Sequence, residues 1–193
     1  MKVFYITTPI YYASGDPHIG HAYTNLMADI TARYHRMKGH PVLFLTGTDE
    51  HGMKVQQNAK KAGQEPQVFV DEVSAKFREL TDVWAITNDD FIRTTEDRHK
   101  ETVVAFWTKV MDAGYIYKKA YKGLYCVGCE SFKTDKDLVD GKCPDHDVAA
   151  DPFEEENYFF RLSAFEDQLK ALFDQRDAFV TPEDKRNEMR QIM

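Results

Sequence analysis

Residues 3–21 read VFYITTPIYYASGDPHIGH and contain the pattern from which the fold class is deduced. The β-branched and aromatic run from Val3 to Thr8 predicts a short buried strand that ends at Pro9. Beyond the turn-like residues 13–17, large apolar residues recur at steps of three and four, which predicts a helix that Gly39 ends. The residues of this stripe are Tyr23, Met27, Ile30, Tyr34 and Met37.

The elements that follow continue the same alternation. Residues 42–46 predict a second buried strand, and a helix is expected over residues 69–84, from the spacing of Phe69, Val73, Phe77, Leu80 and Trp84. Residues 90–94 predict a third strand, and residues 96–113 a further helix. Strands that alternate with helices indicate an α/β fold with a parallel sheet.

The composition changes near residue 115, where tyrosines, lysines and cysteines become frequent and turns replace the helical pattern. We therefore predict one region over residues 1–115 and a second over residues 116–193. Within the second region, Asp140-Gly141 predicts a hairpin turn. A capping box at residues 163–166 and the pair Thr181-Pro182 each predict the start of a helix.

The composition limits the classes of partner. The formal net charge of −7 does not favour nucleic acid as a general ligand, so we expect no DNA partner and any RNA contact to be local. No apolar run approaches the roughly 18 residues of a membrane helix, and the N-terminus lacks a signal pattern. An odd number of cysteines, three, disfavours a secreted disulfide framework. We therefore expect a cytoplasmic protein without a membrane partner.

The first candidate site is His18-Ile19-Gly20-His21, between a strand and a helix. A helix N-terminus offers unpaired N–H groups and a positive dipole end. His18 and His21 can lie on one side of the first turn and stabilise charge on a phosphate, and Gly20 leaves room for a ligand ring. The alternative is a pair of polar histidines at a helix start, and this motif alone does not decide between them.

The second candidate site is the segment Thr46-Gly47-Thr48-Asp49-Glu50-His51-Gly52, which follows the second strand. Asp49 is a plausible partner for a substrate ammonium group. The alternative is a polar loop with a helix cap, and taken alone the segment favours that alternative.

The third candidate site contains every cysteine of the chain. Cys126 and Cys129 are separated by two residues, as are Cys143 and His146. Two such pairs converge on one tetrahedral ion, and zinc fits three thiolates and an imidazole best. Four protein ligands predict a structural rather than a catalytic site. Asp145 or Asp147 could replace His146, although the spacing favours the histidine.

Several segments together resemble a known family. The stretch from Pro9 to His21 resembles the signature of class I aminoacyl-tRNA synthetases. Pro9-Ile10-Tyr11-Tyr12 and residues 45–52 narrow the resemblance to methionyl-tRNA synthetases, and residues 156–163 resemble that family too. The resemblance spans essentially the whole chain and implies the first half of a Rossmann-like parallel sheet with a small zinc-knuckle insertion.

The resemblance also implies roles for individual residues. It assigns His18 and His21 to the ATP phosphates during adenylate formation, with Gly20 beneath the adenine. Ile10 and Tyr12 would line the methionine pocket, and Asp49 would meet the amino group. The cysteine cluster, residues 126–146, would be the zinc knuckle of the connective insertion. Methionine, ATP with Mg²⁺ and tRNA are the implied substrates.

The chain departs from the family pattern because the second signature, Lys-Met-Ser-Lys-Ser, is absent. The second half of the fold and the anticodon-binding domain are absent too, so we expect a piece of a longer enzyme that is inactive alone. One alternative is a sister synthetase for leucine, isoleucine, valine or cysteine, against which Tyr12 and residues 49–52 argue. Another is a short zinc-stabilised paralogue that acts as a non-catalytic binding module.

Overall fold

A computed structural model describes residues 2–126, 128–129, 131–149, 151–175 and 179–192. The chain divides into two compact units. The first consists of Met1–Val103 and Gly123–Pro152, and the second of Val104–Lys122 and Phe153–Met193. The predicted domain boundary between residues 115 and 116 stays a prediction, because compactness alone does not identify independently folding domains.

The first unit contains a parallel sheet centred on one strand. Its strands are β1 (Phe4–Thr7), β2 (Tyr11–Tyr12), β3 (Val42–Asp49) and β4 (Asp90–Arg93). All three other strands pair with β3 in parallel, β1 and β2 along one side and β4 along the other. The predicted α/β class with a parallel sheet is therefore confirmed.

The helices of the chain's first part are α1 (Ile19–Met37), α2 (Met53–Ala62), α3 (Pro66–Val83) and α4 (Asp97–Asp112). The sequence patterns predicted all of them except α2, which is short and mostly polar. Among the described residues, no helix is both long enough and apolar enough to cross a membrane.

One face of the sheet is covered by α1 and α3. Strand β3 turns Phe44, Thr46 and Thr48 toward this face, where all three are buried. Thr46 donates a hydrogen bond to the Asn25 side chain of α1 (3.2 Å), and the Thr48 hydroxyl lies 2.9 Å from that of Ser74 in α3. Because successive side chains of a strand alternate in direction, the odd-numbered residues of β3 point to the opposite face.

Helix α1 buries its small side chains and exposes its large ones. The predicted helix is confirmed, but its apolar stripe does not face the sheet. Small side chains on the sheet-facing side allow the helix backbone to approach the strands closely; they are Ala22, Asn25, Ala28, Asp29 and Ala32. The large apolar residues are more than half exposed or nearly so: Ile19, Tyr23, Met27, Ile30, Tyr34 and Met37.

The second face of the sheet is also exposed. Tyr5 and Leu43 are register partners on this face and are 56% and 44% exposed, so the prediction that these strands are buried is wrong for one face. Parallel sheets are normally covered on both faces. This face and the outer side of α1 are therefore surfaces of the kind that a further layer of structure covers.

The cysteine-rich part consists mainly of strands. Strand β5 (Ile116–Cys126) lies between β6 (Ser131–Lys133) and β9 (Asp151–Phe160), and β7 (Lys142–Cys143) pairs with β8 (Val148–Ala149). The sequence patterns indicate only turns here, and the two long strands were not predicted. In neither strand do apolar and polar residues alternate regularly along the chain.

The predicted turn at Asp140-Gly141 is confirmed. Both residues have positive φ angles, 50° and 76°. Val139 and Lys142 exchange two backbone hydrogen bonds of 2.9 Å across it. Positive φ at both central residues identifies the tight hairpin turn that an Asp-Gly pair favours.

The chain then forms two helices, α5 (Glu166–Gln175) and α6 (Glu183–Ile192). The helix predicted after Thr181-Pro182 is confirmed as α6. The helix predicted after residues 163–166 is confirmed as α5. The capping box itself is wrong, because Leu162–Phe165 form a short 3₁₀ helix and α5 begins only at Glu166.

Gly47 provides a test of the sheet register. It pairs with Ile92, and a Cβ atom at position 47 would lie 2.0 Å from the Ile92 carbonyl oxygen. We therefore expect Gly47→Ala to lower the free energy of unfolding by roughly 3 kcal/mol, at the upper end of overpacking costs, in a urea titration. Gly15→Ala is the matched control, since nothing lies within 4 Å of its Cβ position. Equal stability of the two variants would show that β3 and β4 are not in this register.

Candidate active site and metal centre

The candidate active site lies at the carboxyl end of the parallel sheet. Tyr12 of β2 and Asp49 of β3 are register partners, and the Ala13 N–H donates to the Asp49 carbonyl at 2.8 Å. Register partners on parallel strands present their side chains on the same face. Tyr12 is 60% exposed and Ile10 39%, whereas Tyr11 between them is buried. Tyr12 and Asp49 are thus placed on the uncovered face, and Ile10, which precedes β2, is also exposed.

Two histidines cap the start of α1. The Gly20 N–H donates to His18 Nδ1 at 3.1 Å, and the His18 N–H donates to His21 Nδ1 at 3.1 Å. Because Nδ1 of each ring accepts a hydrogen bond, a neutral ring carries its proton on Nε2. The Nε2–H groups are therefore the donors that remain for a ligand.

Gly20 lies against one of these rings. A Cβ atom on Gly20 would come within 2.9 Å of His18 Cε1, so a side chain at this position would disturb the cap. The two rings are themselves stacked, with their centroids 3.8 Å apart. The cap therefore depends on glycine at position 20.

His21 rests on two aromatic rings. Its centroid lies 4.7 Å from that of Tyr11 and 5.0 Å from that of Phe77 in α3. Burial against these rings lowers the pKa of His21, and the neighbouring His18 lowers it further. The imidazole is therefore held neutral near physiological pH. Tyr11 and Phe77 were not predicted as site residues, although the alternation of residues 10–12 could have indicated that Tyr11 points inward.

Asp49 and Glu50 are adjacent carboxylates in different environments. The Glu50 side chain is fully buried and ion-paired to Arg93, at 2.7 Å. Burial opposes ionisation of Glu50, but hydrogen bonds from Arg93, Thr95 and Thr48 outweigh it and lower the pKa of this carboxyl. The Asp49 carboxylate, in contrast, has no hydrogen bond or ion pair to any described residue. The sequence pattern predicts Asp49 as a site residue but gives no sign of the pair formed by Glu50 and Arg93.

The candidate metal centre brings together the four residues that the spacing predicted. The donor atoms of Cys126, Cys129, Cys143 and His146 all lie within 4.8 Å of one another. Cys129 Sγ is 3.5 Å from Cys143 Sγ and 3.3 Å from His146 Nδ1, which is 3.8 Å from Cys143 Sγ. A zinc ion with ordinary Zn–S and Zn–N bonds separates its tetrahedral donors by roughly 3.5–3.8 Å. The donor set therefore fits one tetrahedral ion.

The carboxylates of Asp145 and Asp147, the alternatives to His146 as fourth ligand, are less well placed to bind the ion. The nearer Asp145 oxygen is 3.9 Å from Cys129 Sγ, and the Asp147 carboxylate pairs with Lys142 at 3.1 Å. Gly128 permits His146 to approach, since a Cβ at position 128 would lie 2.5 Å from the imidazole ring. The cysteine spacing alone does not indicate that a glycine is required between the first two cysteines.

Comparisons with known proteins agree with this geometry. The family model described as tRNA synthetases class I (M) matches residues 4–153. The methionine–tRNA ligase of Thermotoga maritima is 50% identical over 98% of this chain, and that of Caldanaerobacter subterraneus subsp. tengcongensis is 48% identical over 97%. The solved structure of Mycobacterium tuberculosis methionyl-tRNA synthetase in complex with methionyl-adenylate matches the whole chain, with a TM-score of 0.93 and 39% identity.

The chain spans about a third of these proteins. It covers 31% and 30% of the two bacterial ligases and 38% of the solved chain. The family match nevertheless extends over the larger part of this sequence. It includes both the histidine cap and all four residues of the candidate metal centre. The chain therefore belongs to the class I tRNA synthetases, in the group designated M.

Proposed function

We propose that this chain forms one half of the active site of a methionine–tRNA ligase, which joins methionine to tRNA through methionyl-adenylate. One observation carries the proposal. The histidine cap of α1 and the unpaired carboxylate of Asp49 lie at the same end of one parallel sheet. Ligands of open α/β sheets bind beyond the carboxyl ends of the strands.

The histidine cap is the proposed phosphate site. The Nε2–H groups of His18 and His21 and the positive end of α1 stabilise negative charge that develops on the ATP phosphates. Gly20 leaves the first turn without a side chain, so the adenine ring can lie against the backbone. Mg²⁺ bound with ATP supplies further neutralisation of the phosphate charge.

The amino acid is held on the uncovered face. Asp49 pairs with the ammonium group, and Ile10 and Tyr12 contact the flexible, polarizable thioether of methionine. The methionine carboxylate attacks the α-phosphorus and pyrophosphate leaves, which gives methionyl-adenylate. A hydroxyl group of the tRNA then attacks the methionyl carbonyl carbon, and AMP leaves. Since the substrate provides the nucleophile, positioning and charge stabilisation by the protein account for the rate.

The cysteine-rich segment is the proposed zinc knuckle. Cys126, Cys129, Cys143 and His146 would hold one Zn²⁺ with all four positions occupied, so the ion stabilises the fold and takes no part in the reaction. The tRNA contacts are expected mainly from parts of the enzyme outside this chain. A tRNA substrate supports a cytoplasmic location.

The selectivity of Asp49 provides the first test. In the full-length enzyme, Asp49→Asn removes the charge that pairs with the ammonium group. We expect KM for methionine to rise roughly tenfold to a hundredfold, with little change in KM for ATP, in methionine-dependent ATP–pyrophosphate exchange. Asp97→Asn, on an exposed part of α4, is the control. If KM for ATP rises instead, Asp49 does not bind the amino acid.

Metal content provides the second test. We expect about one zinc per chain by elemental analysis, and its loss in Cys129→Ser and His146→Ala. Asp145→Ala should keep the metal, because its carboxylate lies outside the donor set. Gly128→Ala should weaken zinc binding by displacing His146. A Cys126/Cys143 double variant that retained full zinc would contradict the assignment.

Activity of the 193-residue chain alone provides the third test. We expect no exchange above background, because enzymes of class I bind the triphosphate from two sides. This chain contributes one side, the histidine cap of α1. Loss of one set of donors can lower a rate about 10²- to 10³-fold. We also expect poor solubility from the uncovered side of the sheet and of α1. Addition of the remaining polypeptide should restore exchange, and robust exchange without it would contradict the split site.

A further inference from the structure

A buried network of charged and hydroxyl groups surrounds Glu50, immediately after the proposed methionine ligand. Arg93 Nε donates to Glu50 Oε1 at 2.7 Å, and Arg93 Nη2 donates to Glu50 Oε2 at 3.0 Å. Thr48 donates to Oε1 at 2.7 Å, and Thr95 donates to Oε2. Both carboxylate oxygens are thus saturated, within a side chain that has no solvent exposure.

Arg93 connects three elements at this point. It ends β4, beside Thr48 of β3, and its Nη2 also donates to Asp71 of α3 at 2.5 Å. The neighbouring Thr94 accepts the Glu50 N–H at 2.8 Å, and its own N–H donates to the Thr48 carbonyl at 3.2 Å. The guanidinium and the adjacent backbone therefore fix both the side chain and the main chain of Glu50.

Asp49 and Glu50 are turned to opposite faces. Thr48 and Glu50 hydrogen-bond to each other on the covered face, and strand alternation directs Asp49 to the uncovered face beside Tyr12. Rotation of the chain at Glu50 would move Asp49 as well, because the two share a peptide bond. The orientation of Asp49 therefore depends on the retention of Glu50.

We propose that Arg93 is a positioning residue for amino-acid selection. By holding Glu50 in a bidentate pair, Arg93 fixes the end of β3 so that Asp49 is the one carboxylate presented to the substrate ammonium group. This inference rests on the proposed function of the site. Without Arg93, Glu50 is a buried carboxylate without its ion-pair partner, and such a group must take up a proton or move.

The experiment uses pyrophosphate exchange by the full-length protein. Arg93→Ala removes the pair, and Arg93→Lys keeps the charge but loses the bidentate geometry. Arg98→Ala is the matched control. Arg98 makes a similar bidentate pair with Asp90 at the opposite end of the same strand, at 2.6 and 3.0 Å, but is half exposed.

We expect Arg93→Ala to raise KM for methionine about tenfold or more, with a change of less than about threefold in KM for ATP. Arg93→Lys should shift the same ratio in the same direction by a smaller factor, and it decides the matter if the alanine variant does not fold. Arg98→Ala should leave both constants within about twofold.

Two other results of the exchange assay would separate failure of the proposed function from failure of this inference. A parent protein without methionine-dependent exchange overturns the proposed function, and this inference with it. An active parent whose Arg93 variants raise both KM values equally, or lose only thermal stability, overturns this inference alone and leaves the proposed function standing.

Discussion

The pairing of β3 with a parallel strand on each side is the constraint on which the rest of the first unit depends. At Thr48 the strand is paired with Tyr11 on one side and with Arg93 on the other. Three segments far apart in sequence therefore end at the same edge of the sheet. The pairing with β2 places Tyr12 beside Asp49, and the pairing with β4 supplies the arginine that neutralises Glu50. The required glycine at position 47 lies in the same stretch of paired backbone.

The candidate site places hydrogen-bond donors and a carboxylate at different positions near the carboxyl end of the sheet. The two capping histidines face the proposed phosphate site. Tyr11 and Phe77 desolvate His21 and lower its pKa, and the backbone engages Nδ1 of both rings, which leaves Nε2 of each ring for a ligand. Glu50 is held in an ion pair with Arg93, whereas the neighbouring Asp49 carboxylate has no hydrogen bond or ion pair within the part of the chain that the structure describes. The ammonium group of methionine is cationic and the triphosphate of ATP is anionic. The proposed arrangement gives each its own partner, Asp49 for the ammonium group and the two histidines for the phosphates.

The sequence was sufficient to predict all four candidate metal ligands, and three of the four strands and three of the four helices in the first 112 residues, where β2 and α2 were missed. It was sufficient because hydrophobic spacing and cysteine spacing are local properties. The direction of the α1 stripe could not be predicted this way. Periodicity shows that Tyr23, Met27 and Ile30 lie on one face of the helix. It does not show that Asn25 and Ala28, on another face, are the residues that pack against the sheet.

Contacts between residues far apart in the sequence also could not be predicted. Glu50 and Arg93 are 43 positions apart, and nothing in either segment indicates that they pair. The strands β5 and β9 were missed for a related reason. They pair with each other across the intervening cysteine-rich segment, and their own side chains lack a clear alternation between apolar and polar residues.

The proposed site has Asp49 bind methionine and the two capping histidines bind ATP at the carboxyl end of one sheet. A crystal structure of the full-length protein with methionine and a non-hydrolysable ATP analogue would show both contacts. We expect the methionine ammonium nitrogen about 2.7–3.0 Å from an Asp49 oxygen, with the phosphates within reach of Nε2 of His18 and His21 and Glu50 still bound to Arg93. An ammonium group bound to Glu50, or a triphosphate away from the start of α1, would contradict it.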